Sequence, residues 1–293
     1  MKKILLLLAA ALLSPQLHAE GYQVNNLSSR QNGMGHVGTA LKLNSESLWF
    51  NPAAAAFQRS KFDLSAGLTG IYSYVKYNNI DYSGENRISA ESDNKISTPM
   101  YVYFNYKPTD RIGVGLAFNT PFGSAMDWND NWAGAHLIQN IRLRAYQVQP
   151  TVSFKICKGL AVGAGLAIAW GDFDLARSMF PVGAATNATI AGILTSQGMG
   201  QYAPLFTNAG DRALVSAKLK GDSQVAVGVN VGLMWDITEE WTVGFSYRSR
   251  LNMKVKRGTA DLDYLSPEIR QVLSRTGLTP RLSEGTFNTE LPL

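Results

Sequence analysis

The chain has 293 residues, with 27 basic against 22 acidic side chains and a formal net charge of +5. The basic residues are scattered rather than clustered, which argues against nucleic acid as a partner. The single cysteine, Cys157, permits no internal disulfide or thiolate cluster, and with three histidines in the whole chain we expect no metal and no cofactor.

The first residues have the pattern of a cleaved secretory signal. Lys2 and Lys3 precede an apolar run at 4–13, and the residues up to Ala19 suit cleavage after that alanine. The run is too short to span a bilayer as a helix, and no later segment approaches the roughly 20 apolar residues that a spanning helix needs. The sequence predicts a signal peptide at 1–19 and an exported protein.

A segment rich in Gly, Asn, Ser and Ala, without clean alternation, occupies residues 20–56. Alternating segments that predict strands follow it at 61–77, 97–107, 111–121, 140–156, 160–177, 214–236, 241–257 and 281–290. Short connections alternate with long ones along this series. Short periplasmic turns and long extracellular loops are typical of an outer-membrane barrel.

The strands have an unusual pair of faces. At 225–233 the sequence V-A-V-G-V-N-V-G-L places large apolar side chains at alternate positions and Ala, Gly or Asn between them; 112–118 and 160–170 repeat the pattern. Because successive side chains of a strand point to opposite faces, one face suits lipid and the other a crowded interior. The fold class predicted is all-β, a transmembrane antiparallel barrel in the bacterial outer membrane.

Near their extracellular ends the strands exchange faces, so apolar side chains turn inward there. Ile71 and Val75 on the first strand, and Phe173 and Leu175 on the fifth, are the inward residues. We predict that they form an apolar pocket for an amphiphile. Arg177 shares their parity and could pair with a carboxylate head group, or only neutralise a nearby acid of a loop or of segment 20–56.

The long loop at 181–210 has thirty residues and no charge. Its apolar side chains predict either a landing surface for a hydrophobic molecule or packing against neighbouring loops. The candidate ligand-binding residues in this loop are Ile190, Ile193, Leu194, Leu205 and Phe206. Ser266-Pro267-Glu268 predicts a helix start in a second long loop. Inward Arg248, Arg250, Lys254 and Lys256 are predicted to pair with acids of the N-terminal segment, with direct contact to the ligand as the alternative. Outward Lys76, Arg142 and Arg144 either meet lipopolysaccharide phosphates or are simply solvated.

Several short motifs carry a family resemblance in order and spacing. They are Gly21-Tyr22-Gln23, Gly33-Met34-Gly35, Asn51-Pro52-Ala53-Ala54, Asn119-Thr120-Pro121-Phe122-Gly123, Gln149-Pro150-Thr151-Val152-Ser153, Val162-Gly163-Ala164-Gly165-Leu166 and Ser246-Tyr247-Arg248-Ser249. With them, the chain resembles the FadL family of outer-membrane transporters for long-chain fatty acids and other hydrophobic compounds.

The resemblance implies a barrel of 14 strands, within the range of about 8 to 26 common for such barrels, of which this chain holds about the first eight. It implies an N-terminal hatch at 20–56, which includes Asn51, Pro52 and Ala53, and a barrel at 57–293 that is incomplete at its C-terminus. Asn51-Pro52 is also an ordinary turn signal.

The resemblance also implies a lateral opening in the barrel wall, formed by a kink of the third strand at Pro121, Phe122 and Gly123. The residues agree, because Pro lacks a ladder donor and Gly weakens strand pairing.

The function predicted is passive, ligand-gated uptake of a long-chain fatty acid or other hydrophobic small molecule, with lateral exit through the wall and no catalysis. The expected partners are outer-membrane lipid, lipopolysaccharide and the barrel assembly machinery, and we expect a monomer. A general water-filled porin or a structural barrel is the alternative. An outer-membrane hydrolase is disfavoured, because no G-x-S-x-G motif occurs.

Overall fold

A computed structural model describes residues 22–80, 87–278 and 284–292. The predicted signal peptide, 1–19, lies outside the described residues. The strands are β1 (Phe62–Leu68), β2 (Lys76–Ile80), β3 (Arg87–Glu91), β4 (Met100–Tyr106), β5 (Ile112–Asp127), β6 (Asn140–Cys157), β7 (Leu160–Ser178), β8 (Val215–Asp222), β9 (Ala226–Asp236), β10 (Thr242–Arg248), β11 (Asn252–Tyr264) and β12 (Gly285–Pro292). The α-helices are α1 (Ser29–Gly33), α2 (Ser47–Phe50), α3 (Ala184–Ser196), α4 (Ala203–Thr207) and α5 (Pro267–Thr276). Within the described ranges, no helix is both long and apolar enough to cross a membrane.

Ten strands form one antiparallel sheet that we call the wall. It runs in chain order from β1 through β4, β5 and β6 to β7. The other edge of β7 has two neighbours, since its upper half pairs with β8 and its lower half with β9. Strand β10 continues from β9, while β11 and β12 continue from β8. The hairpin of β2 and β3 stands apart from the wall.

Three of the predicted strands are divided in the structure. The segment predicted at 61–77 becomes β1 and the start of β2, which belong to different sheets. The segment predicted at 214–236 leaves the regular ladder around Ser223 and becomes β8 and β9, and the segment at 241–257 becomes β10 and the first part of β11. After this break the odd-numbered residues face inward instead of the even-numbered ones. Leu251, Met253 and Val255 are therefore buried in the interior. The predicted antiparallel barrel wall with an N-terminal hatch is confirmed as a partial barrel, with a different number of strands.

The outer face of the wall has an apolar band below a polar row. Large apolar side chains such as Leu64, Val152 and Val227 are exposed on the outer face. Above them, Tyr146 stacks against Trp170, with ring centroids 6.2 Å apart. Higher still, cross-strand ion pairs replace apolar side chains: Arg144–Asp172 at 2.8 Å, Lys218–Asp263 at 2.7 Å and Lys220–Asp174 at 3.5 Å. This order is typical of a barrel surface that passes from acyl chains to an interface.

The hatch, residues 22–57, explains why the inner face of the wall has such small side chains. A Cβ atom at Gly163 would lie 2.5 Å from the carbonyl carbon of Pro52, and one at Gly232 would lie 2.1 Å from Asn51 Oδ1. A Cβ atom at Gly244 would lie 2.1 Å from the carbonyl oxygen of Thr39. Since no side chain fits at these distances, glycine lets the hatch backbone touch the wall.

Asn51 fastens the hatch to the wall. Its Oδ1 accepts a hydrogen bond from Ala53 N at 3.1 Å and so begins the 3₁₀ helix Pro52–Phe57. Its Nδ2 donates to the carbonyl of Thr39 at 2.7 Å and to that of Leu233, on β9, at 3.1 Å. Asn51 is fully buried, so the Asn-Pro signal serves here as a helix cap and a tie between hatch and strand.

Candidate functional site

The predicted kink coincides with an irregularity in β5. The ladder between β4 and β5 ends at Tyr101 and Asn119. On the other edge, the register between β5 and β6 shifts between Asn119 and Phe122. Pro121 has no N–H to offer a neighbouring strand, so the extra residue at this point costs the ladder little. Phe122 turns inward beyond the shift, where it packs against Leu143 and its neighbours.

The edge of β5 that β4 leaves free is occupied by the N-terminal residues 22–24, which we call the gate segment. Val24 N donates to the carbonyl of Pro121 at 2.8 Å, and Gly123 N donates to the carbonyl of Tyr22 at 2.8 Å. Gln23 thereby forms an antiparallel bridge with Phe122. The first described residues of the hatch are thus held as a short extra strand at the kink.

A cleft of about 550 Å³ lies at this break, and we call it the wall cleft. Inward Phe122 and Leu143 line it together with outward Arg142 and Tyr146, so the cleft includes both faces of the wall. Its lower boundary is the hydrogen bond from Met100 N to Thr120 Oγ1, at 3.0 Å. At its upper boundary, Asp127 N donates to Asn94 Oδ1 at 2.7 Å.

Two cations of the cleft have different surroundings. Arg144 donates three hydrogen bonds to both carboxylate oxygens of Asp172, at 2.8–3.1 Å. Arg142 has no hydrogen bond or ion pair within the described ranges. In the β2–β3 hairpin above the cleft, hydrogen bonds from Lys76 and, to a smaller extent, from Tyr74 lower the pKa of Glu91. The cleft therefore combines apolar side chains with charged ones, among them Lys95 and Asp127 beside the two arginines.

A second cavity of about 350 Å³ lies on the inner side of the wall, and we call it the luminal pocket. Gln23, Val24, Thr39, Ser246 and Arg248 are among the residues that line it. Val24 lines the wall cleft as well, so the gate segment separates the two cavities.

Arg248 stacks on the ring of Trp49, with Cζ 3.4 Å from the ring centroid, and Nη2 donates to the carbonyl of Trp49. The prediction that Arg248 and Lys254 pair with hatch acids is wrong. Arg248 bonds a hatch carbonyl, and Lys254 pairs with Glu290 on β12 at 2.8 Å.

The structure does not bring the predicted wall residues into one pocket. Ile71 lines the wall cleft, whereas Val75 packs against the cluster around Trp128 and Trp132. Phe173 faces inward as predicted, but its ring meets that of Phe287 at 5.8 Å between centroids.

Leu175 pairs with Ile141 and Leu219 in the ladders, and Arg177 is exposed beside Ala217. Neither cavity described above is lined by Phe173, Leu175 or Arg177, and ligand contact by these three residues stays a prediction. The division of the later strands brings β12 against Phe173, a contact that local pattern did not indicate.

The uncharged loop folds as helices α3 and α4, which pack against α5. We call their shared apolar core the loop cluster. It buries Ile190, Leu194 and Phe206 together with Ile269, Val272 and Leu273. For Ile190, Leu194 and Phe206 the structure agrees with the alternative of packing between loops, and ligand contact by the loop stays a prediction. Ile193 is 37% exposed and Leu205 is partly buried. The predicted helix start is confirmed, since Ser266 Oγ accepts from Ile269 N at 3.2 Å.

The residues that sequence reasoning missed are Trp49 and Val24. Arg248 had been identified by its inward parity alone. Nothing local shows that a hatch tryptophan faces it, because 199 positions separate the two residues. Within the described ranges, no group of three His, Cys, Asp or Glu side chains is placed to hold a metal ion.

A strand wall with an apolar outer band, filled by an N-terminal hatch, defines the class of plugged outer-membrane barrels. The family model described as "Outer membrane protein transport protein (OMPP1/FadL/TodX)" matches residues 10–292. The chain therefore belongs to the FadL family, as the motifs suggested. Members of this family are outer-membrane transport proteins and not enzymes.

Curated relatives are similar over most of the chain. A long-chain fatty acid transport protein of Escherichia coli O6:H1 is 24% identical over 99% of this chain and 63% of its own length. The putative outer membrane protein NMB0088 of Neisseria meningitidis serogroup B is 26% identical over 87% of this chain and 54% of its own length. The chain thus spans less than two thirds of the length of either relative.

Solved structures show the same fold. A FadL homologue of Pseudomonas aeruginosa superimposes with a TM-score of 0.67 at 18% identity, over 93% of this chain and 63% of that one. The toluene transporter TbuX of Ralstonia pickettii gives a TM-score of 0.53 at 17% identity, over 78% and 59%.

Proposed function

We propose that the chain takes up long-chain fatty acids, or hydrophobic molecules of similar size, by passive diffusion with lateral exit through the wall cleft. The names of its relatives, which include long-chain fatty acid transport proteins, support this class of cargo. The observation that carries the proposal is a cleft through both faces of the wall at the interrupted ladder of β5.

The height of the cleft supports exit into lipid rather than into water. Tyr146 lines the cleft and stacks on Trp170, directly below the row of ion pairs that begins with Arg144 and Asp172. Aromatic rings at such a boundary mark the membrane interface. A molecule that leaves there can pass its acyl chain into the outer leaflet while its polar end stays at the level of the charges.

The gate segment supplies a barrier of suitable size. Its two backbone hydrogen bonds to β5 contribute about 0.5–1.5 kcal/mol each, so opening costs roughly 1–3 kcal/mol before the burial of Val24 is added. Each methylene that moves from water to an apolar site gains about 0.8 kcal/mol. A long acyl chain can therefore offset displacement of the gate segment by binding energy alone, which is ligand gating without a further energy source.

The loops provide the first contact in this proposal. Ile193 and Leu205 are the predicted loop residues with remaining exposure, and Leu205 packs against the loop cluster. Ligand contacts for Phe173, Leu175 and Arg177 stay predictions. Contact with lipopolysaccharide phosphate rests on Arg142, because Arg144 and Lys76 are ion-paired.

A reversible crosslink tests the gate. A Cβ atom at Gly123 would lie 3.7 Å from Val24 Cγ2, so the pair Val24→Cys and Gly123→Cys suits a disulfide. Cys157→Ser removes the natural thiol, which is exposed. We expect the oxidised double variant to lose uptake of a radiolabelled long-chain fatty acid by expressing cells, and reduction to restore it.

Each single cysteine variant is the control for this experiment and should transport equally under both redox conditions. Equal uptake by the crosslinked and reduced double variants would reject lateral exit past residues 22–24. A water-filled porin is the competing function. Liposome swelling by small sugars, unaffected by the crosslink, would favour it.

A further inference from the structure

Four basic residues form one row at the end of the wall where the strand connections are short. Lys61 directly precedes β1, and Lys107 directly follows β4. Arg111 directly precedes β5, and Lys155 lies close to the end of β6. These four strands are neighbours in the wall, and short connections mark the periplasmic end of an outer-membrane barrel. We call these four residues the basic rim.

The basic rim places like charges directly opposite each other. Lys107 N donates to the carbonyl of Lys61 at 2.9 Å, which extends the ladder between β1 and β4 by one residue pair. Lys155 N donates to the carbonyl of Arg111 at 2.7 Å, which extends the ladder between β5 and β6 in the same way. Like charges that face each other across two strands destabilise a sheet. Two such pairs therefore stand side by side at the periplasmic end.

No acid in the described ranges forms an ion pair with the basic rim. Asp236, at the end of β9, is paired with Lys42 of the hatch at 2.5 Å. The carboxylate of Asp63 accepts hydrogen bonds from the hatch instead. Asp110, in the turn between β4 and β5, is exposed. The row therefore keeps an excess of positive charge.

The basic rim faces the mouth of the barrel rather than the lipid. Lys107 Nζ donates to the carbonyl of Gln58 at 2.8 Å, and Lys155 Nζ lies 5.0 Å from the centroid of the Phe57 ring. Both contacts are with the end of the hatch, inside the wall. Residues directly opposite each other point to the same face of a sheet, so the other two members of the rim share this orientation. A partner that reaches them comes from the periplasm.

The length of the row indicates the kind of partner. Neighbouring strands lie about 4.8 Å apart, so a row across four strands is about 14 Å long, the length of roughly four extended residues. Alternate side chains of an extended peptide point to one face, and carboxylates there would form charge-assisted bonds with lysine and arginine. We propose that the basic rim is the docking surface for an acidic segment of a periplasmic protein. This interaction goes beyond the proposed function and does not depend on the cargo.

The test measures binding of a fluorescent heptaglutamate peptide to the full chain in nanodiscs of zwitterionic lipid, without cargo. Lys61→Glu with Arg111→Glu reverses the two rim residues whose side chains make no hydrogen bond in the described ranges. We expect this double variant to bind the peptide at least about tenfold more weakly than the wild type. Lys61→Gln with Arg111→Gln should have an intermediate affinity. Binding to the wild type should weaken as salt is added.

Lys256→Glu with Arg275→Glu is the matched control. It changes the net charge equally, and both residues are exposed, on β11 and α5, without an ion pair within the described residues. We expect this variant to bind the peptide within about twofold of the wild type. Equal weakening in the control would mean that the peptide responds only to net charge.

Two further results would overturn the proposal. A wild-type chain that does not bind the peptide at about 1 mM would mean that the basic rim is only solvated. Retention of phosphatidylglycerol by the wild type but not by the rim variant, without peptide binding, would assign the rim to anionic lipid. Uptake of a long-chain fatty acid tests the proposed function separately, because peptide binding is measured without cargo.

Discussion

Replacing Asn51 by alanine is predicted to release the hatch from the wall without unfolding the wall. The side chain makes three hydrogen bonds, to Ala53, Thr39 and Leu233, and only the last joins the hatch to a strand. Asn51→Ala keeps the backbone and removes all three bonds. Asn51→Asp keeps the acceptor for Ala53 and loses both donated bonds.

The size of the effect follows from these contacts. A hydrogen bond contributes about 0.5–1.5 kcal/mol, and a buried group left without its partner costs about 1–3 kcal/mol. Asn51 is fully buried, so water replaces none of the lost bonds in the docked hatch. Only the bond to Leu233 is lost between hatch and wall, so we expect a loss of about 1–3 kcal/mol in the free energy of hatch docking. This raises the population of undocked hatch roughly 5- to 150-fold.

Hydrogen exchange followed by mass spectrometry measures this population on hatch and wall peptides of the same sample. Peptides that include Pro52–Phe57 should exchange roughly 5- to 150-fold faster in Asn51→Ala, and peptides from β6 and β7 should not change. Asn129→Ala is the control, because its one bond, to Asn131 N, is exposed. Unchanged hatch protection in Asn51→Ala would refute the argument that this residue ties the hatch to β9. Faster exchange throughout the wall would refute the claim that the hatch can be released without unfolding the wall.

Three further predictions concern the wall and the loops. Gly232→Ala puts a Cβ atom 2.1 Å from Asn51 Oδ1, so it should raise the rate of amide hydrogen exchange in the hatch, as Asn51→Ala does. An unchanged exchange rate in the hatch would contradict the close approach. The Arg144–Asp172 pair is partly exposed, so a double-mutant cycle on thermal unfolding should give a coupling of about 0.5–1 kcal/mol that decreases with salt. Ser266→Ala should destabilise α5 by about 1 kcal/mol, seen as faster exchange in that helix alone.

The strand pattern could be read from the sequence because lipid imposes it. Residues at 225–233 alternate in size because one face must be apolar and the other must leave room, and both requirements act on each residue separately. The cap at Ser266 is equally local, since its partner is three residues away. The bulge at Pro121 also follows from the covalent structure of proline.

The strand sequences alone do not show which residues pack against the inner face of the wall, where the side chains are small. Gly163 and Gly232 are small because Pro52 and Asn51 touch them, and these contacts join positions more than a hundred residues apart. The same holds for the contact of Phe173 with Phe287, which the parity of the strand did not predict. Periodicity reports the direction of a side chain but not its neighbour.

By itself, the sequence determined which faces meet lipid, where the wall strand breaks and where the loop helix begins, since each depends on a residue and its near neighbours. Only the tertiary structure decided that residues 22–24 close the break and that Arg248 faces a tryptophan instead of an acid. Such pairings depend on how the chain folds back on itself, and the free energy of a long-range contact leaves no periodic trace in the sequence.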